Sequence, residues 1–201
     1  MIAAPRNTAR DPAREPSPGD PALMASVAAG EMSALGMLFD RYDQDVRRLI
    51  ARLGVSPGDV DDLVQLTFLD ALRSARSYDG RASARPWLMG LAVMIVRRHR
   101  RSIGRLAARL AAWATMPSEH ARSPEEQSET NEAAERARRA LDALSSKKRE
   151  AFVLVALEGM SGEQAAELLS VPAATVGTRL HHARRELREA LARDGERGAE
   201  R

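Results

Sequence analysis

The stretch SGEQAAELLSVPAATVGTRLHHARRELREAL, Ser161 to Leu191, sets the frame in which the other segments are read. Ala165, Ala166, Leu168 and Leu169 repeat at helical spacing. Ser161 and Gln164 have the spacing of a capping box, in which the hydroxyl takes a backbone N–H of the first turn and the amide returns to the cap residue. A short helix is therefore expected to begin here. Ser170, Val171 and Pro172 interrupt it, and Pro172 suits the start of a following helix better than the continuation of the first. In that second helix Val176, Leu180, Ala183 with the stem of Arg184, Leu187 and Leu191 predict a buried stripe. The helix also carries Thr175, Thr178, Arg179, His181, His182, Arg184 and Arg185. Two short helices about a tight turn, the second basic, read as a helix-turn-helix, whose second helix enters the DNA major groove. An amphipathic hairpin with a solvated basic face gives the same pattern, so the flanking segments must decide.

Upstream, Ala134, Ala137, Leu141 and Leu144 predict a helix ending near Ser145. Ser146 opens another, with Phe152, Val153, Val155, Ala156 and Leu157 as its expected core face and Gly159 as its stop. Before these, Met116 to Asn131 (MPSEHARSPEEQSETN) is polar, acidic and proline-bearing, the composition of a linker. Leu106 to Trp113 continues a helical pattern that could lie on a partner or on the first domain.

The N-terminal half is also helical in period. Residues 1–20 are rich in Pro, Arg and Asp and read as a disordered lead-in. Leu23 and Val27 mark a short helix. Ala34, Leu35, Leu38, Phe39, Tyr42, Val46, Leu49, Ile50 and Leu53 mark a long one, closed by Gly54. Ser56-Pro57-Gly58 reads as a turn, and Asp59 opens a helix with acids in its first turn, where the dipole favours them. Its buried stripe should be Val60, Leu63, Val64, Thr67, Phe68, Ala71 and Leu72. This leaves Asp61, Asp62, Gln65, Leu66 and Leu69 on the opposite side, an acidic face with exposed leucines that suits a protein partner. Tyr78 to Arg85 is a polar loop. Pro86 starts a helix with Trp87, Leu88, Leu91, Ala92, Ile95 and Val96 buried, and it runs into Arg97-Arg98-His99-Arg100-Arg101, a row dense enough for phosphate contact.

Composition narrows the classes. The chain has 201 residues, 29% charged and 44% hydrophobic, with a net charge of only +3, so its arginines matter through clustering. It has no Cys and four His, none in a metal-binding spacing; His181 and His182 point about 100° apart on a helix and cannot readily share an ion. No Gly-rich phosphate loop or nucleophile elbow is present, so neither an enzyme nor a cofactor is expected. With no apolar signal core or membrane-spanning run, a cytoplasmic protein without a membrane partner is expected. Strand-like alternation is absent. The expected fold is all-α: a lead-in over 1–20, a helical domain over 21–103, a flexible linker over 104–133, a helix-turn-helix domain over 134–192 and a disordered tail over 193–201.

DVDDLVQLTFLDAL (Asp59 to Leu72), with Trp87-Leu88 and the arginine row, resembles the second conserved region of the extracytoplasmic-function (ECF) sigma factors, small members of the bacterial sigma-seventy family. AAGEMSALGMLFDRY (Ala28 to Tyr42) looks like that region's opening helix, and Leu144 to Leu191 is similar to their fourth region, a winged-helix-like four-helix unit. The resemblance implies a promoter-specificity subunit that binds core RNA polymerase at its β′ clamp helices and β flap, and promoter DNA, with an anti-sigma factor as a further partner. It implies that Asp61, Asp62, Gln65, Leu66 and Leu69 meet polymerase, and that Tyr78, Arg81, Ser83, Arg97, Arg98 and Arg101 serve the −10 element. Thr175, Thr178, Arg179 and His182 would read the −35 duplex, with Arg184 and Arg185 at phosphates. The sequence departs from the family at Leu66, in place of an acid, at Ala84, in place of an aromatic, and at Met94 and Arg98, in place of Asn and Asp. In the helix-turn-helix, Ser170, Pro172 and Gly177 replace the usual Gly, Ser and Lys. A plain helix-turn-helix regulator, or a diverged sigma-like one that does not open promoters, are the alternatives.

Overall fold

A computed structural model describes the backbone of residues 18–113 and 132–199, and the side chains of residues 18–105 and 135–193. Residues 1–17 of the expected lead-in and the Met116–Asn131 linker lie outside the described residues. Every regular element among those described is a helix, so the C-terminal unit has four helices and no wing.

Helix α1 (Asp20–Ala28) buries Leu23, Met24 and Val27, and helix α2 (Met32–Arg52) buries Ala34, Leu35, Leu38, Tyr42, Val46, Leu49 and Ile50. Gly54, at φ +81°, turns the chain away as expected. Helix α3 spans Pro57–Ser74, two residues earlier than expected, because Pro57 takes the first helical position, where its missing N–H has no partner to lose. Its stripe Val60, Leu63, Val64, Thr67, Phe68 and Ala71 is buried, Leu72 half so. Phe68 meets Phe39 at a 4.8 Å centroid distance. Thr67 is satisfied by donating to Leu63 O at 2.7 Å. A 3₁₀ turn, Ala75–Ser77, leads into the loop.

Helix α4 runs from Arg85 to Trp113, so the first ten residues assigned to the linker are instead helix. It buries Leu88, Met89, Leu91, Ala92, Val93, Ile95 and Val96, more than the one stripe anticipated. A helix buried on two sides must be covered twice. One cover is the α2–α3 pair; the other is the C-terminal module, since Leu168 packs on Gly90 and the apolar cores of the two modules form one continuous cluster. The two helical domains are thus packed against each other through apolar contact.

The C-terminal module comprises α5 (Glu132–Asp142), α6 (Ser146–Phe152), α7 (Gly162–Leu169) and α8 (Ala173–Ala199). A second, smaller cluster of Ala140, Leu144, Ala183 and Leu187, with Phe152 against it, holds α5 and α6 on α8. After α6 the chain widens into a π-helical stretch, Val153–Leu157. That widening rotates the segment: Val153 and Leu154 are buried while Ala156 and Leu157, expected in the core, are exposed. Two further expectations are corrected. The tail is helical through Ala199, and Asp20, assigned to the lead-in, is a buried helix-start residue.

Candidate nucleic-acid interface

On α3 the buried stripe forces Asp61, Asp62, Gln65, Leu66 and Leu69 onto the outer face, and all five are exposed, both leucines at 44%. Asp61 pairs with Arg47 of α2, which also reaches Asp43 at 3.6 Å. Leu66 borders a cleft between α3 and α4 that Leu63 and Ile95 floor, with Asp70 and Arg98 at its rim, 3.4 Å apart. A carboxylate-bearing ridge with apolar side chains beside it can bind a basic helical surface by charge steering with an apolar anchor.

The loop before α4 places Tyr78 edge-on to Trp87 at 5.7 Å, with the Tyr78 hydroxyl donating to Arg81 O. Arg81 pairs with Asp79 and reaches Glu167 of α7 at 3.5 Å. Ser83 is exposed, and its Oγ takes the N–H of Arg85 at 3.2 Å. Arg98 and Arg101 face solvent.

Arg97 does not. It gives Nη2 to Glu150 of α6 at 2.6 Å and Nη1 to Leu169 O at 3.4 Å. Arg100 stands 3.9 Å from Glu150 and donates to Leu53 O. Burial pushes the Arg100 guanidinium below its ordinary value despite Glu150, and Arg97 beside it adds to that. Arg100 Nη1 has no hydrogen-bond partner among the described residues. A second carboxylate, Glu158, sits just past the π-helical stretch with its side chain 3% exposed, between Arg52 at 2.7 Å and Arg85 at 2.5 Å. Asp45 holds the Nε of Arg85 at 2.7 Å. Buried Arg149 reaches across the other way, donating to Leu53 O at 3.2 Å. The C-terminal module thus presses two glutamates into arginine sockets on the N-terminal one.

In the helix-turn-helix both arms of the expected capping box are present: Ser161 Oγ accepts from Gln164 N at 3.2 Å and Gln164 Oε1 from Ser161 N at 2.9 Å. Ser170 takes the left-handed conformation, φ +54°, that a Gly would adopt more easily. Val176, Ala183 and Leu187 anchor α8 inward, and Leu180 is half-buried; Leu191, expected in the stripe, is exposed. Counting 100° per residue from Val176, the outward line is Ala174, Thr178, His181 and Arg185, all exposed. Arg184 is exposed beside it. Thr175, Arg179 and His182 lie half-buried on its flanks. His181, which sequence reasoning left out of the base-reading set, is on the central line.

Comparison with known proteins follows the same division. The family description Sigma-70 region 2 matches residues 38–106, and Sigma-70, region 4 matches residues 134–187. The ECF RNA polymerase sigma factor SigC of Mycobacterium tuberculosis is 33% identical over 175 residues, covering 87% of this chain and 90% of its own. The chain belongs to the ECF sigma factors of the sigma-70 family. The ECF RNA polymerase sigma-E factor of Haemophilus influenzae is 30% identical over 173 residues, 82% of this chain and 91% of its own. Among solved structures, CnrH in complex with the cytosolic domain of CnrY is 28% identical, with a TM-score of 0.60 over 87% of this chain and 98% of that one. The sigma factor RpoE in complex with the anti-sigma factor NepR, from Bartonella quintana, shares the fold at 23% identity and a TM-score of 0.63, covering 78% and 96%.

Two regions in tandem disfavour the plain helix-turn-helix regulator. What sequence reasoning missed in this sigma factor is the set Asp45, Arg52, Arg85, Glu150 and Glu158, which joins region 2 to region 4. A signal for it existed in Met89, Gly90, Val93 and Arg97, which share a second face of α4 by their three- and four-residue steps.

Proposed function

We propose that this sigma factor divides promoter recognition among three surfaces. The acidic α3 face, Asp61, Asp62, Gln65, Leu66 and Leu69, docks on core polymerase at the β′ clamp helices, and region 4 takes the β flap. The Tyr78–Ser83 loop and the basic end of α4 serve the −10 element, where capture of an unstacked base offsets on the order of 1–3 kcal/mol of the cost of unpairing. Helix α8 reads the −35 duplex through its outward line of Thr178, His181 and Arg185, with Arg184 to one side. The observation that carries this reading is the tandem order of an exposed acidic ridge and an exposed helix-turn-helix in one chain.

Arg97 and Arg81 are engaged by Glu150 and Glu167 of region 4, so they meet DNA only after the two regions part. The described arrangement is therefore a closed form, which binding to polymerase opens. The fold neighbour RpoE, solved in complex with the anti-sigma factor NepR, supports an anti-sigma protein as a partner. No described helix is long and apolar enough to cross a membrane. Membership of the family supports a cytoplasmic, non-enzymatic initiation factor.

The test is transcription in vitro with core polymerase on a promoter library, comparing the native chain with Asp62→Arg. Initiation that depends on the native chain, and loss of polymerase capture in the folded variant, are expected. Unchanged capture by Asp62→Arg would remove the α3 face from the docking surface.

A further inference from the structure

Asp20 is the first residue of α1 and one of the few buried charged residues, 5% exposed. Its carboxylate collects three donors from two other segments. Arg41 Nη1 donates to Oδ1; the Tyr42 hydroxyl and the backbone N–H of Ala84, the latter at 2.7 Å, donate to Oδ2. An ionised carboxylate is acceptor-only and has lone pairs for all three. Burial pushes its pKa up, but the bonds from Tyr42, Ala84 and Arg41 outweigh this and hold it below the ordinary aspartate range. Ala84 is where the loop becomes helix, since Leu88 N bonds Ala84 O at 2.9 Å. Asp20 therefore supplies, from a different helix, the negative charge and the acceptor that an α4 N-terminus needs. The Tyr42 hydroxyl also stands 3.4 Å from Ser83 Oγ, and Ser83 Oγ takes the next N–H, that of Arg85. Small Ala84 is fully buried at this junction.

We propose that Asp20 is a positioning residue for promoter melting: its carboxylate fixes the Tyr78–Ala84 loop on the start of α4, and with it the side chains that hold an unpaired −10 base. This rests on the reading that the loop receives the −10 bases. Asp20 touches no nucleotide itself. It acts through the backbone of Ala84 and, by way of Tyr42, through Ser83. Without it the loop retains its residues but loses the anchor that sets where Tyr78, Arg81 and Ser83 stand relative to α4, so capture of the flipped base weakens while the other two surfaces are untouched.

The experiment uses holoenzyme assembled from core polymerase and full-length chain, native or carrying Asp20→Ala, Asp20→Asn or Tyr42→Phe. Two quantities are read: affinity for single-stranded −10 oligonucleotides with each base varied, and open-complex formation on duplex against premelted promoters. Asp20→Ala is expected to flatten base discrimination and to lower open-complex formation on duplex promoters tenfold or more, with most of the loss recovered on premelted ones. Asp20→Asn, which keeps an acceptor for Ala84, should lose less. Tyr42→Phe should lose discrimination in the same direction with the fold intact, and so decides the matter if Asp20→Ala does not fold. Polymerase affinity and −35 duplex binding should stay within twofold. Native discrimination in both Asp20→Asn and Tyr42→Phe, or an equal loss on duplex and premelted templates, overturns the proposal. Tyr78→Ala and Ser83→Ala separate the two levels. If they flatten discrimination and the Asp20 and Tyr42 variants do not, the positioning role alone fails. If they change nothing, the loop is not the −10 site and the inference falls with that reading.

Discussion

The two arginine-rich segments of this sigma factor look alike in sequence and have opposite fates. On α8 the outward line of Thr178, His181 and Arg185 points to solvent, and among the described residues no acid of region 2 pairs with it. On α4, Arg97 and Arg100 are turned inward onto Glu150, while Arg98 and Arg101, in the same run, stay exposed. Charge density alone does not mark a DNA surface. What separates the segments is the second face of the helix: α8 has one apolar stripe, while α4 has a second through Met89, Gly90 and Val93 that draws region 4 down and takes Arg97 with it.

The contrast can be broken most strongly by removing the two glutamates. Glu150→Ala with Glu158→Ala leaves Arg52, Arg85, Arg97 and Arg100 without their region 4 carboxylates. Losing one partner of a fully buried pair costs about 3–5 kcal/mol, and the partial exposure of these arginines reduces this to on the order of 2 kcal/mol for each glutamate. The regions should part: the radius of gyration from small-angle scattering rises, helix content by circular dichroism holds, and non-specific DNA affinity increases with a steeper salt dependence. An unchanged radius would mean that apolar packing alone holds the regions together.

The open segment is sharpened by comparing Arg185→Ala with Arg179→Ala. A lost base contact is worth roughly 1–3 kcal/mol, so Arg185→Ala should weaken −35 duplex binding about 5- to 150-fold, more than the half-buried Arg179→Ala. If Arg179→Ala has the greater effect and relaxes sequence preference, the base-reading line is rotated from the one counted from Val176. A loss uniform over all sequences would instead assign the residue to phosphate.

Gly54 offers a milder way to loosen the masked side. A Cβ there would lie 1.5 Å from Arg149 Nη1, and the position has φ +81°. Gly54→Ala costs about 1–2 kcal/mol in backbone strain and displaces the Arg149 guanidinium. Its expected result is a lowered Tm with a partly opened chain by scattering; an unaltered Tm would contradict the tight approach.

The smallest effect is in pH. Burial raises the pKa of Asp45, but bonds from Arg85 and Arg48 outweigh it and leave it below the ordinary 3.8. A depressed folded-state value contributes stability that is present above about pH 4 and is lost as pH falls through the lowered value. Asp45→Asn should therefore flatten the acid limb of a Tm-against-pH curve and change little near neutrality. A curve parallel to the native one would remove Asp45 from the linkage.

Much of this was legible because it is local. Period alone predicted the α3 stripe and, with it, the exposure of Leu66 and Leu69, and the Ser161–Gln164 spacing predicted the cap. The helix-turn-helix face was half legible, since its residues were named but their rotation about α8 depends on which stripe is buried. The contacts between regions were not legible. Glu150 and Glu158 look like ordinary solvated acids in a line of sequence, and only the partner helix turns them inward. Asp20 was hidden by composition: four residues of Pro, Gly and Ser before it (Pro16 to Gly19) resemble the lead-in, and its three donors come from 21 to 64 residues away.

A disulfide trap measures the closed form directly. The chain has no cysteine, and a Cβ at Gly90 meets only Leu168, at 3.6 Å from its Cγ. Gly90→Cys with Leu168→Cys should therefore cross-link within one free chain under oxidation, lose promoter-dependent transcription with core polymerase, and regain it on reduction. Failure to cross-link, or full transcription from the locked chain, would contradict a sigma factor that keeps its −10 arginines under region 4 until the two regions part.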